Sequence, residues 1–297
     1  MTNTVKSILP RIGGKARIAH KIIGHLVKRD FRIYVEPFFG SGAVYFKLFY
    51  DGYFERLKQS PNKYKYPRII LNDADRWVTE LFKYCRDNPQ ELAEMVALTP
   101  FARDEHTEAV RAIAAGYTDK LELIRQYLIA HHQGFASDYE TWASCEKRTN
   151  GSLDKLSRWI KLPDRIQAMT LALKDAYIEN SDFEAVIKHW DDPSACIYCD
   201  PPYFNVEHYY TENFGIEDHY RLAKTLNNCQ GHVVVSYYPD DRINELYPAN
   251  KWDRLSFHRR TSLTTKDQIR PQRTELLLVK RWDDSAVVAA NGQISLL

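Results

Sequence analysis

Long hydrophobic runs are missing from this 297-residue sequence. No apolar stretch approaches the roughly 18 residues of a membrane-spanning helix, and Met1 to Leu9 lacks the apolar centre of a secretory signal. The expectation is a cytoplasmic protein with no membrane partner. Cysteine is also scarce. Cys85, Cys145, Cys196, Cys199 and Cys229 are odd in number and scattered, which excludes a disulfide framework and leaves reduced thiols. Cys196 and Cys199 have metal-ligand spacing but no accompanying second pair, so they argue for neither a zinc nor a redox site, and His131-His132 reads as structural. No internal repeat or low-complexity tract is evident.

An excess of one charge is lacking overall, the net charge being +2, but the basic residues are unevenly placed. Residues 1–32 hold eight Lys or Arg against Asp30 alone, and residues 251–281 hold nine against Asp253, Asp267 and Glu275. Such stretches suit either a phosphate backbone or an ordinary solvated surface.

With 44% apolar content the chain can bury a full core. Short β-type runs alternate with helical stretches, which predicts an α/β fold with a largely parallel sheet. Strands are expected at Arg32–Val35, Arg68–Leu71, Ala176–Glu179, Cys196–Cys199, Val233–Ser236, Trp252–Phe257 and Glu275–Val279, with helices at Ala43–Tyr50 and Arg76–Arg86. Residues 51–67, rich in Lys, Tyr and Pro, read as a surface loop. From Pro89 to Leu128 the apolar spacing is helical, residues 134–157 read as irregular, and 153–174 as helical except at Pro163. The expected division is a catalytic domain from 1–86 and 171–285, a mainly helical insertion at 87–170, and a tail at 286–297.

Three elements carry chemistry. Phe38-Phe39-Gly40-Ser41-Gly42 places a glycine turn between a strand and a helix, where backbone can approach a ligand closely. A dinucleotide site needs a third small residue three positions after Gly42, and Tyr45 stands there, which weakens a nicotinamide reading. S-adenosylmethionine has no pyrophosphate and makes no such demand. Asp73, ending the second strand, has the placement to accept bonds from both ribose hydroxyls, with Asp75 the alternative as helix cap. Upstream, Gly13-Gly14-Lys15 is a further turn whose lysine suits a carboxylate.

The third element, Asp200-Pro201-Pro202-Tyr203, follows a buried-type strand. The prolines stop the strand and stiffen the backbone, so that the Asp200 carboxylate and the Pro201 carbonyl form two fixed acceptors. An exocyclic amino group has two N–H donors to match. Accepting both aims the nitrogen lone pair at the donor methyl for in-line transfer, while Tyr203 stacks on the base. A duplex adenine would have to flip out to reach this site.

In this order the elements resemble the Dam-type family of adenine-specific (N6) DNA methyltransferases of bacteria and phages. The likeness spans about 1–86 and 171–281, including the closing run Arg273-Thr274-Glu275-Leu276-Leu277-Leu278. It implies a Rossmann-like class I S-adenosylmethionine-dependent sheet with an inserted target-recognition domain, acting on double-stranded DNA and needing no metal. A cognate restriction endonuclease is the implied genetic partner. Cofactor contacts are implied for Lys15, Phe38, Gly40, Ser41, Gly42, Asp73, Asp182, Phe183 and Asp200. Arg11 stands where relatives often have Trp, leaving a polar contact there. The insertion departs from the family's usual Asn-rich pattern but offers Trp142, Lys147, Arg148, Asn150, Arg158 and Lys161, with Arg259 and Arg260 farther on, as nucleic-acid contacts. An RNA substrate and a non-catalytic binding protein of the same fold stay open at this point.

Overall fold

The computed structural model describes residues 7–10, 14–59, 67–116, 119–135, 138–143, 155–204, 214–260 and 272–281. Its strands are β1 (Ile33–Glu36), β2 (Arg68–Asn72), β3 (Gly134–Phe135), β4 (Asp138–Trp142), β5 (Ala176–Glu179), β6 (Ala195–Cys199), β7 (His232–Tyr237), β8 (Trp252–Arg260) and β9 (Gln272–Lys280). The helices are α1 (Ala19–Leu26), α2 (Ala43–Tyr50), α3 (Tyr53–Lys58), α4 (Arg76–Asp87), α5 (Pro89–Leu98), α6 (Arg103–Ala115), α7 (Lys120–Gln133), α8 (Lys155–Ile160), α9 (Leu162–Leu173), α10 (Phe183–Trp190), α11 (Ile216–Asn228) and α12 (Arg242–Leu246). The chain divides into two compact units, one of Met1–His20, Phe39–Arg56 and Asp75–Asn180, the other of Lys21–Phe38, Leu57–Ala74 and Ser181–Leu297. Among the described residues no helix is long and apolar enough to cross a membrane.

The strand-rich second unit runs β2-β1-β6-β7-β9-β8. Its first four strands pair in parallel, while β9 runs antiparallel between β7 and β8. Alternation decides the faces. Ile33 and Val35, Ala195, Ile197 and Cys199, Val233, Val235 and Tyr237, and Leu276 and Leu278 turn to one side. There Phe183, Val186 and Ile187 of α10 and Leu222, Ala223 and Leu226 of α11 bury them. The opposite face carries polar groups that find partners: Tyr198 Oη lies 2.9 Å from Ser236 Oγ, and Cys196 Sγ bonds to Leu26 O at 3.6 Å. Cys196 and Cys199, an odd number of positions apart, therefore point to opposite faces of β6.

The first unit is mainly helical, and two segments differ from the sequence expectation. Residues 51–67 contain α3, whose Tyr53, Phe54 and Leu57 are buried at helical spacing, so this is not wholly loop. Residues 134–142 form an antiparallel hairpin where irregular chain was expected. Partners distant in sequence organise it: His106 Nε2 lies 2.8 Å from Tyr139 O, and the His131 ring stacks on Tyr139 at 5.4 Å. Pro163 lies in the first turn of α9, after α8 ends, as the break in periodicity requires.

Candidate active site

The sheet reverses its winding at β1, which has β2 on one side and β6 on the other. In α/β folds the carboxyl ends of strands beside such a reversal form the ligand site. At this edge of the second unit lie Phe38 after β1, Asp73 after β2, Asp200 after β6 and Tyr238 after β7. Asn72, fully buried, donates from Nδ2 to Pro37 O at 2.9 Å and so joins the ends of β2 and β1. Asp73 is 8% exposed. Of the two acids competing for the cap of α4, Asp75 takes it, accepting from Trp77 N at 2.9 Å.

In the first unit the glycine turn has the backbone that its composition predicts. Gly40 and Gly42 adopt φ of +51° and +66°, the left-handed region that side chains disfavour. A Cβ on Gly42 would fall 2.5 Å from both Phe39 and Phe46, whereas one on Gly40 would meet nothing within 4 Å. Gly42 is therefore fixed by packing, whereas a Cβ at Gly40 would have room. Tyr45 is fully buried among Phe39, Phe46 and Phe54. Lys15, 4% exposed, belongs to a short 3-10 turn.

At the end of β6, Asp200 is half-buried while Pro201, Pro202 and Tyr203 are buried. The Tyr203 hydroxyl lies 3.0 Å from Asp200 Oδ1 and closer still to Oε1 of Glu275, which is fully buried on β9. Burial first, then the Asp200 and Glu275 carboxylates, push Tyr203 well above the ordinary tyrosine range and keep it a hydroxyl. Its ring is 4% exposed and meets Tyr238, a half-buried ring, edge-on at 4.4 Å. Glu36, 2% exposed at the end of β1, accepts from Tyr34 Oη at 2.5 Å. Asp200, Glu36 and Glu275 all act electrostatically on buried Tyr198, raising its pKa after burial itself. Three acids gathered in this way suit a cationic ligand.

Beside them is an aromatic group. Phe38, Phe183 and Phe214 have ring centroids 5.4–5.7 Å apart. Arg221 lies 4.3 Å over the Phe183 ring and bonds to Asp182 at 2.8 Å. Asp182 also caps α10, accepting from Glu184 N at 2.9 Å and Ala185 N at 3.4 Å, and is exposed.

Comparison with known proteins is decisive for the family. The model for the D12 class N6 adenine-specific DNA methyltransferases matches residues 12–263. The chain belongs to that family. Type II methyltransferase M1.LlaDCHI of Lactococcus lactis subsp. cremoris is 23% identical over 263 residues, covering 79% of this chain and 82% of that one. Type II methyltransferase M.MjaIII of Methanocaldococcus jannaschii is 24% identical over 241 residues, covering 74% and 78%. The protein is therefore an adenine-specific DNA methyltransferase with DNA as substrate and a methyl donor as co-substrate.

Not every expected residue of this methyltransferase can be placed. Arg11, Lys147, Arg148 and Asn150 lie outside the described residues, and Arg259 and Arg260 are described only as backbone of β8. Arg158 and Lys161 are exposed on and just after α8. Trp142 is half-buried, with Arg103 4.6 Å over its ring. Trp159, which lies in the same basic stretch, is buried and donates from Nε1 to Thr99 O at 2.9 Å, so it packs rather than faces solvent. Sequence reading overlooked Glu36 and Tyr238 and gave Glu275 no role. Glu36 was marked only by being an acid at a strand's end, and nothing local marked Glu275.

Proposed function

We propose that the methyl donor is S-adenosylmethionine and that Asp200-Pro201-Pro202-Tyr203 is the catalytic element. The observation that carries this reading is the Asp200 carboxylate, held at the carboxyl edge of the sheet beside the Tyr203 hydroxyl. The site fits the donor: buried acids match a sulfonium cation, and Asp73 matches a ribose. Phe38 and Phe183 offer faces for its adenine, with Asp182 near by. Gly40, Ser41 and Gly42 supply close backbone, while Lys15 and Arg11 are assigned to its carboxylate end through the family resemblance. When bound, this donor supplies an electrophilic methyl and a good leaving group, so the chain needs no metal for the transfer.

Asp200 and the Pro201 carbonyl accept the two N6 hydrogens of an adenine flipped out of duplex DNA. Holding both draws the nitrogen toward tetrahedral geometry and directs its lone pair. Tyr203 and the more exposed Tyr238 offer aromatic faces to the base. Residues 87–170 form the target-recognition region, where Trp142, Lys147, Arg148, Asn150, Arg158 and Lys161 meet DNA; Arg259 and Arg260 add phosphate contacts. A paired restriction nuclease fits the type II names of the relatives.

The test is to sequence DNA, with detection of N6-methyladenine, from a methylation-deficient host expressing the wild type or Asp200→Ala. A modified motif present only with the wild type is expected and reveals the recognition sequence. A motif retained by Asp200→Ala removes Asp200 from the mechanism.

A further inference from the structure

We propose that Glu275 is a positioning residue which turns the Tyr203 hydroxyl hydrogen away from Asp200, making Asp200 the acceptor of the proton that adenine N6 gives up. This rests on the reading that Asp200 holds N6.

The argument begins with counting hydrogens. Tyr203 Oη faces Asp200 Oδ1 at 3.0 Å on one side and Glu275 Oε1, nearer still, on the other. A hydroxyl brings one hydrogen and ionised carboxylates bring none, so with both acids ionised one of these contacts lacks a hydrogen. Glu275 is fully buried whereas Asp200 is half exposed to water, so the contact to Glu275 takes it. An oxygen lone pair of Tyr203 then faces Asp200 Oδ1, and a proton on Oδ1 is what completes that contact. Methylation releases one. As the N6–methyl bond forms and the methyl's bond to the donor breaks, its electron pair leaving with the donor, one N6–H bond breaks, its electron pair stays on nitrogen, and the proton passes to Asp200 Oδ1, which then donates to Tyr203 Oη. Tyr203 remains a neutral hydroxyl throughout, consistent with the burial and neighbouring carboxylates that hold its pKa up. Half-buried Asp200 returns the proton to solvent.

Glu275 can play this part because it is fixed. It is fully buried on β9, where it pairs with Phe257 of β8, and the next residue, Leu276, pairs with Tyr237 of β7. Among the described residues, the other titratable groups around the chain of contacts are Glu36, Tyr198, Cys199, Tyr237, Tyr238 and His219. Burial holds Tyr198, Cys199 and Tyr237 well above their ordinary values. They do not titrate near neutral pH.

The experiment compares full-length wild type, Glu275→Gln, Tyr203→Phe, the double variant and Asp200→Asn. Single-turnover methylation of duplex DNA is measured from pH 5 to 9, with donor affinity by calorimetry and thermal unfolding alongside. Gln keeps the shape of Glu275 but is a weaker acceptor, so the Tyr203 hydrogen returns to Asp200. At saturating donor, which keeps any change in donor affinity out of the rate, Glu275→Gln is expected to slow transfer about tenfold or more, within the range of general-base effects, and to move the acidic limb of the pH profile to lower pH. In the Tyr203→Phe background it should add nothing. A wild-type rate and pH profile for Glu275→Gln, or an undiminished effect without the Tyr203 hydroxyl, overturns the inference. Should Glu275→Gln not fold, an unmoved acidic limb in Tyr203→Phe overturns it equally. Full activity in Asp200→Asn would sink the underlying reading of Asp200 as well; an inactive Asp200→Asn beside a silent Glu275→Gln removes this inference alone.

Discussion

Asn72 and Ser181 hold each other by a reciprocal pair of hydrogen bonds. Asn72 Nδ2 donates to Ser181 O at 3.1 Å, and Asn72 Oδ1 accepts from Ser181 N at 2.9 Å. With its bond to Pro37 O, one amide fastens the chain after β1 and before α10 to the end of β2. This fixes the segment that leads into Asp182 and Phe183, as well as the backbone of Asp73.

Asn72→Leu keeps the volume but strands the buried Pro37 carbonyl and removes two bonds to the backbone of exposed Ser181. The expected cost is about 1–3 kcal/mol of stability, that of one buried group left unsatisfied, since water can reach the Ser181 groups. Urea unfolding measures it. Donor affinity should fall too, because Asp73 adjoins the broken clasp; unchanged stability would mean that these bonds are replaced by water.

The two glycines of the turn should answer differently to alanine. Gly42→Ala combines φ of +66° with 2.5 Å clashes against Phe39 and Phe46 and should cost about 2–4 kcal/mol. Gly40→Ala meets only the backbone penalty, about 1 kcal/mol. Melting temperatures of the pair check this, and equal losses would contradict the packing argument.

His132 makes stability depend on acid. Burial, reinforced by His131, Arg165 and Lys155 and opposed by its contact with Ile8 O, lowers its pKa to about 4 from the usual 6.5. The fold therefore prefers neutral imidazole, and the unfolded chain binds more protons between those values. Its contribution is fully present above about pH 6.5 and is lost as pH falls toward about 4, amounting to about 3 kcal/mol at most. Denaturant unfolding from pH 7 to 4 should show this slope. His132→Gln should flatten it, and an unchanged slope in that variant would assign the dependence elsewhere.

Arg158→Ala and Lys161→Ala test the proposed DNA face. If each contacts a phosphate, each should weaken binding to all sequences alike and reduce the slope of log affinity against log salt by about 1. Fluorescence anisotropy at several salt concentrations measures both effects, and an unchanged slope would leave these side chains simply solvated.

Sequence by itself determined the family and the α/β class, and it marked the local candidate elements. The glycine turn, Asp73 and Asp200-Pro201-Pro202-Tyr203 each lie within a few residues of a strand end, so backbone chemistry and alternation suffice to place them. Even the competition between Asp73 and Asp75 for a helix cap could be posed from spacing, though only the Asp75 bond to Trp77 N decided it. Tertiary structure alone decided the rest. The hairpin at 134–142 depends on His106 and His131, which no local pattern links to Tyr139. Glu275 meets Tyr203, 72 positions before it in the chain, because β9 runs antiparallel, starting at the edge where the parallel strands end. A buried carboxylate is costly without a partner, and strand pairing, a long-range property, is what delivers that partner to it.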